Sequence, residues 1–453
     1  MTPVGEGRQT NTRRRRPTNE YPSAKAVRLN SVEKGFGAAF DAFVNRDRAD
    51  SGDIADAVSD IIAAVRKDGI GALQALTRRF DAFELTPENL AVSPDEIDQA
   101  EAACDPDDLR ALDVAAARIR AYHEKQLPED VRYKDQEGVT LGWRWTSVDA
   151  AGVYAPGGLA AYPSSVLMNA IPARVAGVER LAMATPTLKG ETNPLVLAAG
   201  KRAGVGEIYR IGGAQAIAAL AFGAGPIAPV DVVVGPGNAY VAEAKRQVFG
   251  QVGIDSIAGP SEILVVADAN NDPDWIAADL LSQAEHDPTS QSVLITDDAA
   301  FADRVAAAAE AQLANSPRRD IARAAWTNNS AIIVVGAPDE APALVNALAP
   351  EHLELAVDDP DSLLADIRHA GAIFLGRHTP EAIGDYVAGP NHVLPTARAA
   401  RYASGLSVLD FMKRSSVIGC GESALRKIGP DAARLADAEG LPGHAQSIRL
   451  RLK

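Results

Sequence analysis

From Trp145 onward the chain alternates short β-branched runs with alanine-rich stretches, and this alternation limits the possible folds more than any other feature. Runs such as Val232-Val233-Val234 read as buried strands, and segments such as Gln215 to Phe222 read as the helices that cover them. A second series follows in Ile263-Leu264-Val265-Val266, Val293-Leu294-Ile295, Ile332-Ile333-Val334-Val335 and Ile373-Phe374-Leu375. A helical segment, Pro273 to His286, separates the first two of these strands. Such alternation predicts parallel sheets with helices on both faces, in two doubly wound α/β units. No sequence repeat relates the two series.

The flanks read differently. Asp53 to Pro128 is helical in pattern, with apolar residues at three- and four-residue spacing through Ile54 to Ile62. Ser93-Pro94-Asp95-Glu96 opens a further helix, with a capping hydroxyl, Pro in the first turn and acids near the positive helix end. From Val393 the pattern becomes loop with short helices.

A length of 453 residues suits two to four structural units, and 23% charged residues against 47% hydrophobic ones argue for a packed chain. The net charge of −15 disfavours a nucleic-acid binder. Residues 1–28 depart from it, with seven Lys/Arg against two acids. The run Arg13-Arg14-Arg15-Arg16-Pro17 suits either an anion-binding arm or a solvated, disordered extension. The extension is preferred, because no apolar face accompanies the arginines. No signal-type apolar region follows them, and no stretch approaches the ~20 apolar residues of a spanning helix, so no membrane partner is expected. Cys104 and Cys420 are too few for a disulfide framework or a thiolate metal site, which fits a reducing cytoplasm.

Candidate chemistry gathers late in the chain. Gln283 and His286, three residues apart, share a helix face, and the pair suits either a ligand or a helix end. Asp385 and His392 stand in a Gly/Pro-rich segment just after a predicted strand, where ligand loops collect at carboxyl ends. Together these side chains form a nitrogen and oxygen donor set compatible with Zn²⁺. Glu351-His352 offers a carboxylate and an imidazole for proton transfer, or is an ordinary surface dipeptide. His123, His369 and His378 read as structural. Three turns, Tyr154 to Gly158, Ile211 to Gln215 and Val234 to Asn238, lie between strand and helix. Each suits a phosphate or is plain turn chemistry. The G-x-G-x-x-G fingerprint is absent.

These residues lie in blocks that resemble histidinol dehydrogenases. Among them are VYAPGGLAAYPSSVLMNAIPA (153–173), RIGGAQAIAALAFG (210–223), VVGPGNAYVAEAKRQV (233–248), LLSQAEHDPTSQSVLIT (280–296), APEHLEL (349–355), GDYVAGPNHVLPT (384–396) and AEGLPGHAQSI (438–448). The similarity runs collinearly from about Ala26 to the C-terminus. It implies NAD-dependent four-electron oxidation of L-histidinol to L-histidine through the bound aldehyde, the last step of histidine biosynthesis.

The resemblance implies zinc ligands Gln283, His286, Asp385 and His444, and an acid/base pair Glu351 and His352. It places substrate contacts at Ser261, His392 and Glu439 together with the zinc ligands and His352, and NAD contacts at Tyr154, Gln215 and Asn238. It also implies a homodimer of two incomplete Rossmann-like domains, one inserted in the other, with an exchanged C-terminal tail bringing Glu439 and His444 to the partner's site. The expected division is a 1–28 extension, a larger domain of 29–150 and 261–392, an inserted domain of 151–260, and a 393–453 tail. Pro442-Gly443 departs from the usual Ala before the histidine, with the spacing kept.

Three rivals remain at this level. One is a related dehydrogenase of another alcohol, such as a sulfonated propanediol, which would not need Glu439 and His444. A zinc hydrolase would leave the three turns and Tyr154 unused. A non-catalytic binding protein would not need the full set of site residues.

Overall fold

A computed structural model of the chain describes residues 26–46, 54–157, 162–257 and 259–453. The arginine run, the extension through residue 25 and Gly158 lie outside the described residues. The chain already has regular structure at the extension's expected end, since Val27–Asn30 is a sheet strand.

Two all-parallel sheets carry the fold. The first has six strands in the order Val27–Asn30, Ala331–Val334, Gln291–Thr296, Glu262–Ala267, His352–Ala356 and Ala372–Leu375. From Glu262–Ala267 the chain winds outward first to one side and then to the other. Its central strands are buried along their length and mostly apolar, so each needs a helical layer on both faces. Helices Pro273–Ala284, Ala299–Asn315 and Arg319–Asn329 build the core on one face. Phe36–Val44 and Ala341–Leu348 build the other. The second sheet has five strands, ordered Glu207–Tyr209, Arg180–Ala184, Ala150–Tyr154, Val232–Val234 and Gly253–Ile254. The α/β class with two doubly wound units is therefore observed.

The first N-terminal helix, Phe36–Val44, packs on the six-stranded sheet, and the later ones do not. Residues 29–150 were expected with the larger, six-stranded unit. Instead, Ile54–Asp68 and Ile70–Asp81 join the core over Gly213–Phe222 and Ala239–Val248, and Pro106–Glu124 packs beside Pro163–Val175, all on the five-stranded sheet. The reason is burial. Helix Gly213–Phe222 is buried from Ala214 through Ala221, so its outer face needs a second helical layer. The stripe Val58, Ile62 and Val65 supplies one. The expected capping at Ser93 is present: its hydroxyl accepts from Glu96 N, and its own N–H donates to the Glu96 carboxylate at 2.8 Å.

The C-terminal segment is more regular than its pattern predicted. Met412–Gly419 pairs antiparallel with Thr140–Ser147, which also pairs with Val131–Lys134. The strand is largely exposed and carries Lys413, Arg414, Ser415 and Ser416, so backbone pairing defines it and no apolar alternation marks it. Helices Glu422–Ala438 and Pro442–Leu450 then pack on each other through Ala433, Ala436 and Ala445. Leu435, Leu441 and Leu450 are left exposed. Among the described residues no helix is long and apolar enough to cross a membrane.

Candidate active site

A cavity of about 470 Å³ lies between the two sheets, and they reach it from opposite ends. The five-stranded sheet presents carboxyl ends. Tyr154 closes strand Ala150–Tyr154, and the turn Gly235-Pro236-Gly237-Asn238 follows Val232–Val234. The six-stranded sheet presents amino ends. Ser261 precedes Glu262–Ala267, Glu351 precedes His352–Ala356, and Gln283 and His286 stand at the carboxyl end of helix Pro273–Ala284. The expectation that Asp385 belongs at a strand's carboxyl end is thus corrected. Helix Glu381–Tyr386 runs back along the sheet after Ala372–Leu375. Glu381 N–H donates to Glu354 Oε1 at 2.6 Å in mid-strand, and Asp385 reaches the amino end beside His352.

Glu351 and His352 are buried, so the surface-dipeptide reading fails. Glu351 Oε2 accepts from Glu262 N at 2.9 Å. His352 Nδ1 lies 2.9 Å from Glu262 O and donates to it. That bond turns Nε2 toward Asp385 Oδ1 at 3.6 Å and Glu381 Oε1 at 3.8 Å, with no partner at hydrogen-bond distance among the described residues. Burial pushes Glu351 up to about 8. Burial opposes a charge on His352 too, but Glu351, Asp385 and Glu381 outweigh it and raise the imidazole to about 10. Asp385 is held at about 2: burial works against this, and the imidazoles of His352 and His392 overcome it. Burial lowers His286 and His392. His392 is oriented at both nitrogens, Nδ1 against Asp385 O at 2.9 Å and Nε2 against Ser165 Oγ at 3.2 Å.

The donor set fits a divalent cation. Gln283 is buried, lines the cavity, and its Oε1 has no hydrogen-bond partner among the described residues. An orphaned amide oxygen beside His286 and Asp385 is what a nitrogen- and oxygen-preferring ion requires. His352, Glu381 and Asp385 also bring ligand-type atoms within 4.8 Å of one another. The turn side is held by its own hydrogen bonds. Tyr154 Oη accepts from Gly213 N at 3.0 Å, and Asn238 Oδ1 caps helix Ala239–Val248.

Comparison with known proteins decides the family. A family model described as histidinol dehydrogenase matches residues 44–452. Histidinol dehydrogenase of Rhodospirillum rubrum is 61% identical over 427 residues, covering 94% of this chain and 98% of that one. The chain belongs to the histidinol dehydrogenase family. The Ruegeria pomeroyi histidinol dehydrogenase is 60% identical, covering 94% of this chain and 98% of its own. A crystal structure of histidinol dehydrogenase from Elizabethkingia anophelis superposes with a TM-score of 0.90 at 34% identity, covering 95% of this chain and 99% of that chain.

Of the residues that the resemblance to histidinol dehydrogenases singled out, Tyr154, Asn238, Ser261, Gln283, His286, Glu351, His352, Asp385 and His392 line the cavity. Gln215 does not. It is buried in the first turn of Gly213–Phe222, two residues after the Gly213 N–H that donates to Tyr154. Glu439 and His444 are exposed on the tail helices and do not line this chain's own cavity. His123 is a core residue, its Nδ1 2.7 Å from Ile119 O. Sequence reasoning missed Glu381, Lys245, Asp255 and Arg318. Only Glu381 left a trace: four residues before Asp385, it shares that residue's helix face.

Proposed function

We propose that this chain is an NAD-dependent L-histidinol dehydrogenase holding one zinc ion per subunit and working as a homodimer. It would oxidise L-histidinol through L-histidinal to L-histidine in the cytoplasm, ending histidine biosynthesis. The observation that carries the reading is the buried Glu351–His352 pair, with a free His352 Nε2, sharing one cavity with the orphaned Gln283 Oε1 and the Gly235–Asn238 turn. The names of the relatives support the substrate.

Gln283, His286 and Asp385 would hold the metal with His444 of an exchanged tail. Bound zinc would anchor the substrate's imidazole and amine, a matter of orientation more than of activation. Bound NAD⁺ would supply the hydride acceptor. A cation held on Asp385 would offset the carboxylate charge that raises His352, and the neutral imidazole, fixed by Glu262 O, takes the alcohol proton at Nε2. Glu351, whose ionisation burial pushes up to about 8, draws in its ionised form a proton from the water that hydrates the aldehyde. Ser261 and His392 flank the substrate, Tyr154 and Asn238 face the cofactor, and Glu439 from the partner suits the substrate's ammonium. We read the five-stranded unit, 151–260 with the helices of 54–124 packed on it, as the inserted domain and 393–453 as the exchanged tail, whose uncovered leucines need a partner surface.

The test is NADH formation from limiting L-histidinol, before and after chelation and zinc restoration. Two NADH per histidinol, lost without zinc and regained with it, is the expected outcome. No NADH from the zinc-loaded protein sinks the assignment.

A further inference from the structure

One buried ion pair in the cavity wall has no part in the chemistry above. Lys245 and Asp255 form a salt bridge with side chains only 2% and 3% exposed. Charged side chains are rarely buried so fully, and an apolar pair of similar volume would avoid their desolvation. What the charges do here is hold one residue. Lys245 Nζ donates to Gly235 O at 3.0 Å, and Gly235 N–H donates to Asp255 Oδ2 at 2.8 Å. Both polar groups of Gly235 are thereby held by the pair.

Gly235 opens the turn that lines the cavity. It has φ +121°, and a Cβ there would lie 2.2 Å from Tyr154 O, so the turn is pressed against the end of the neighbouring strand. Lys245 comes from helix Ala239–Val248, its side chain directed back toward the helix amino end. Asp255 directly follows the edge strand Gly253–Ile254. Helix, turn and edge strand are joined at a single residue, three positions before Asn238.

We propose that Lys245–Asp255 is a positioning pair that sets the Gly235–Asn238 turn for the dinucleotide and so determines cofactor affinity, leaving histidinol and metal binding alone. The inference rests on the reading that NAD⁺ lies against this turn. The test uses the full-length, zinc-loaded protein and its K245M, D255N and K245M/D255L variants. NADH binding is read by fluorescence transfer from tryptophan, alongside KM for NAD⁺, histidinol affinity, zinc content and thermal midpoint. Each single variant should weaken NADH binding and raise KM for NAD⁺ by about tenfold or more, the scale of one buried hydrogen bond to a charge. The other readouts of binding should stay within about twofold, the ordinary scatter for distant, independent sites.

A single neutralisation strands its partner's charge, so the double variant is the arm that preserves folding. It should regain the thermal midpoint and keep the weak NADH binding. Recovery of both together, or native NADH binding by K245M, would overturn the proposal. Absence of NADH binding by the unsubstituted protein would instead sink the cofactor reading, and this inference with it.

Discussion

The two parallel sheets are built alike and yet turn opposite ends toward one cavity. On the five-stranded side, helices Pro163–Val175 and Ala239–Val248 begin at the cavity wall, so their positive ends face it, the second capped by Asn238. On the six-stranded side, helix Pro273–Ala284 ends there, and Gln283 and His286 stand at its negative end. Helix starts favour anions and helix ends favour cations. The comparison teaches that one type of winding, used twice in opposite senses, yields a cleft with an anion side and a cation side. A dinucleotide's phosphates suit the first, and a metal ion with a cationic substrate suits the second.

The sharpest way to break this comparison is to remove the proton carriers of the cation side. H352A or E351Q should cut turnover by about 10²–10⁴-fold, the usual worth of general acid–base groups. Zinc content measured by atomic absorption should not change. Zinc loss in H352A would mean that the His352, Glu381 and Asp385 cluster holds the ion. Next comes H444A, which should lose zinc and activity although its own cavity is intact. Subunit exchange between inactive H444A and H352A should restore one of the two sites in each mixed dimer, and no recovery would refute the exchanged tail.

The anion side should respond differently and less. Y154F leaves Gly213 N–H without its acceptor and should raise KM for NAD⁺ about two- to tenfold, with histidinol affinity unchanged. A matched loss of histidinol affinity would show that the sides are not separate. A last effect is on stability and leaves turnover alone. Burial raises Asp279 to about 6. Its folded form resists ionising, so it costs nothing below the unfolded value and weakens the fold as pH climbs from about 4 to 6, by ~1–3 kcal/mol. D279N should flatten the fall of the thermal midpoint across that range. An identical pH profile for the variant would remove Asp279 as the cause.

Legibility followed burial and chemical singularity. Val232–Val234, Glu262–Ala267, Gln291–Thr296 and Ala331–Val334 could be read because apolar runs covered on both faces have no other stable place, whereas the edge strand Val27–Asn30 and the mixed strand His352–Ala356 could not. Glu351-His352, Gln283 and Asp385 could be singled out because they fall in long family blocks. Met412–Gly419 could not be read, since an exposed strand held by pairing carries no apolar period. Neither could Lys245–Asp255, ten residues apart and separated by a strand, whose charges look like surface charges until the chain folds over them.

By itself the sequence determined the class of fold, the two winding series, the family and nine of the residues that line the cavity. All of these are written in local periodicity or in collinear blocks. Only the tertiary structure decided which sheet owns the N-terminal helices, which strand ends face the cavity, and which amide oxygen and imidazole nitrogen are left without partners. The reason is physical. Periodicity records which face of an element is buried, whereas the direction of a sheet toward a cleft, and the partners of each polar atom, depend on contacts between residues far apart in the chain.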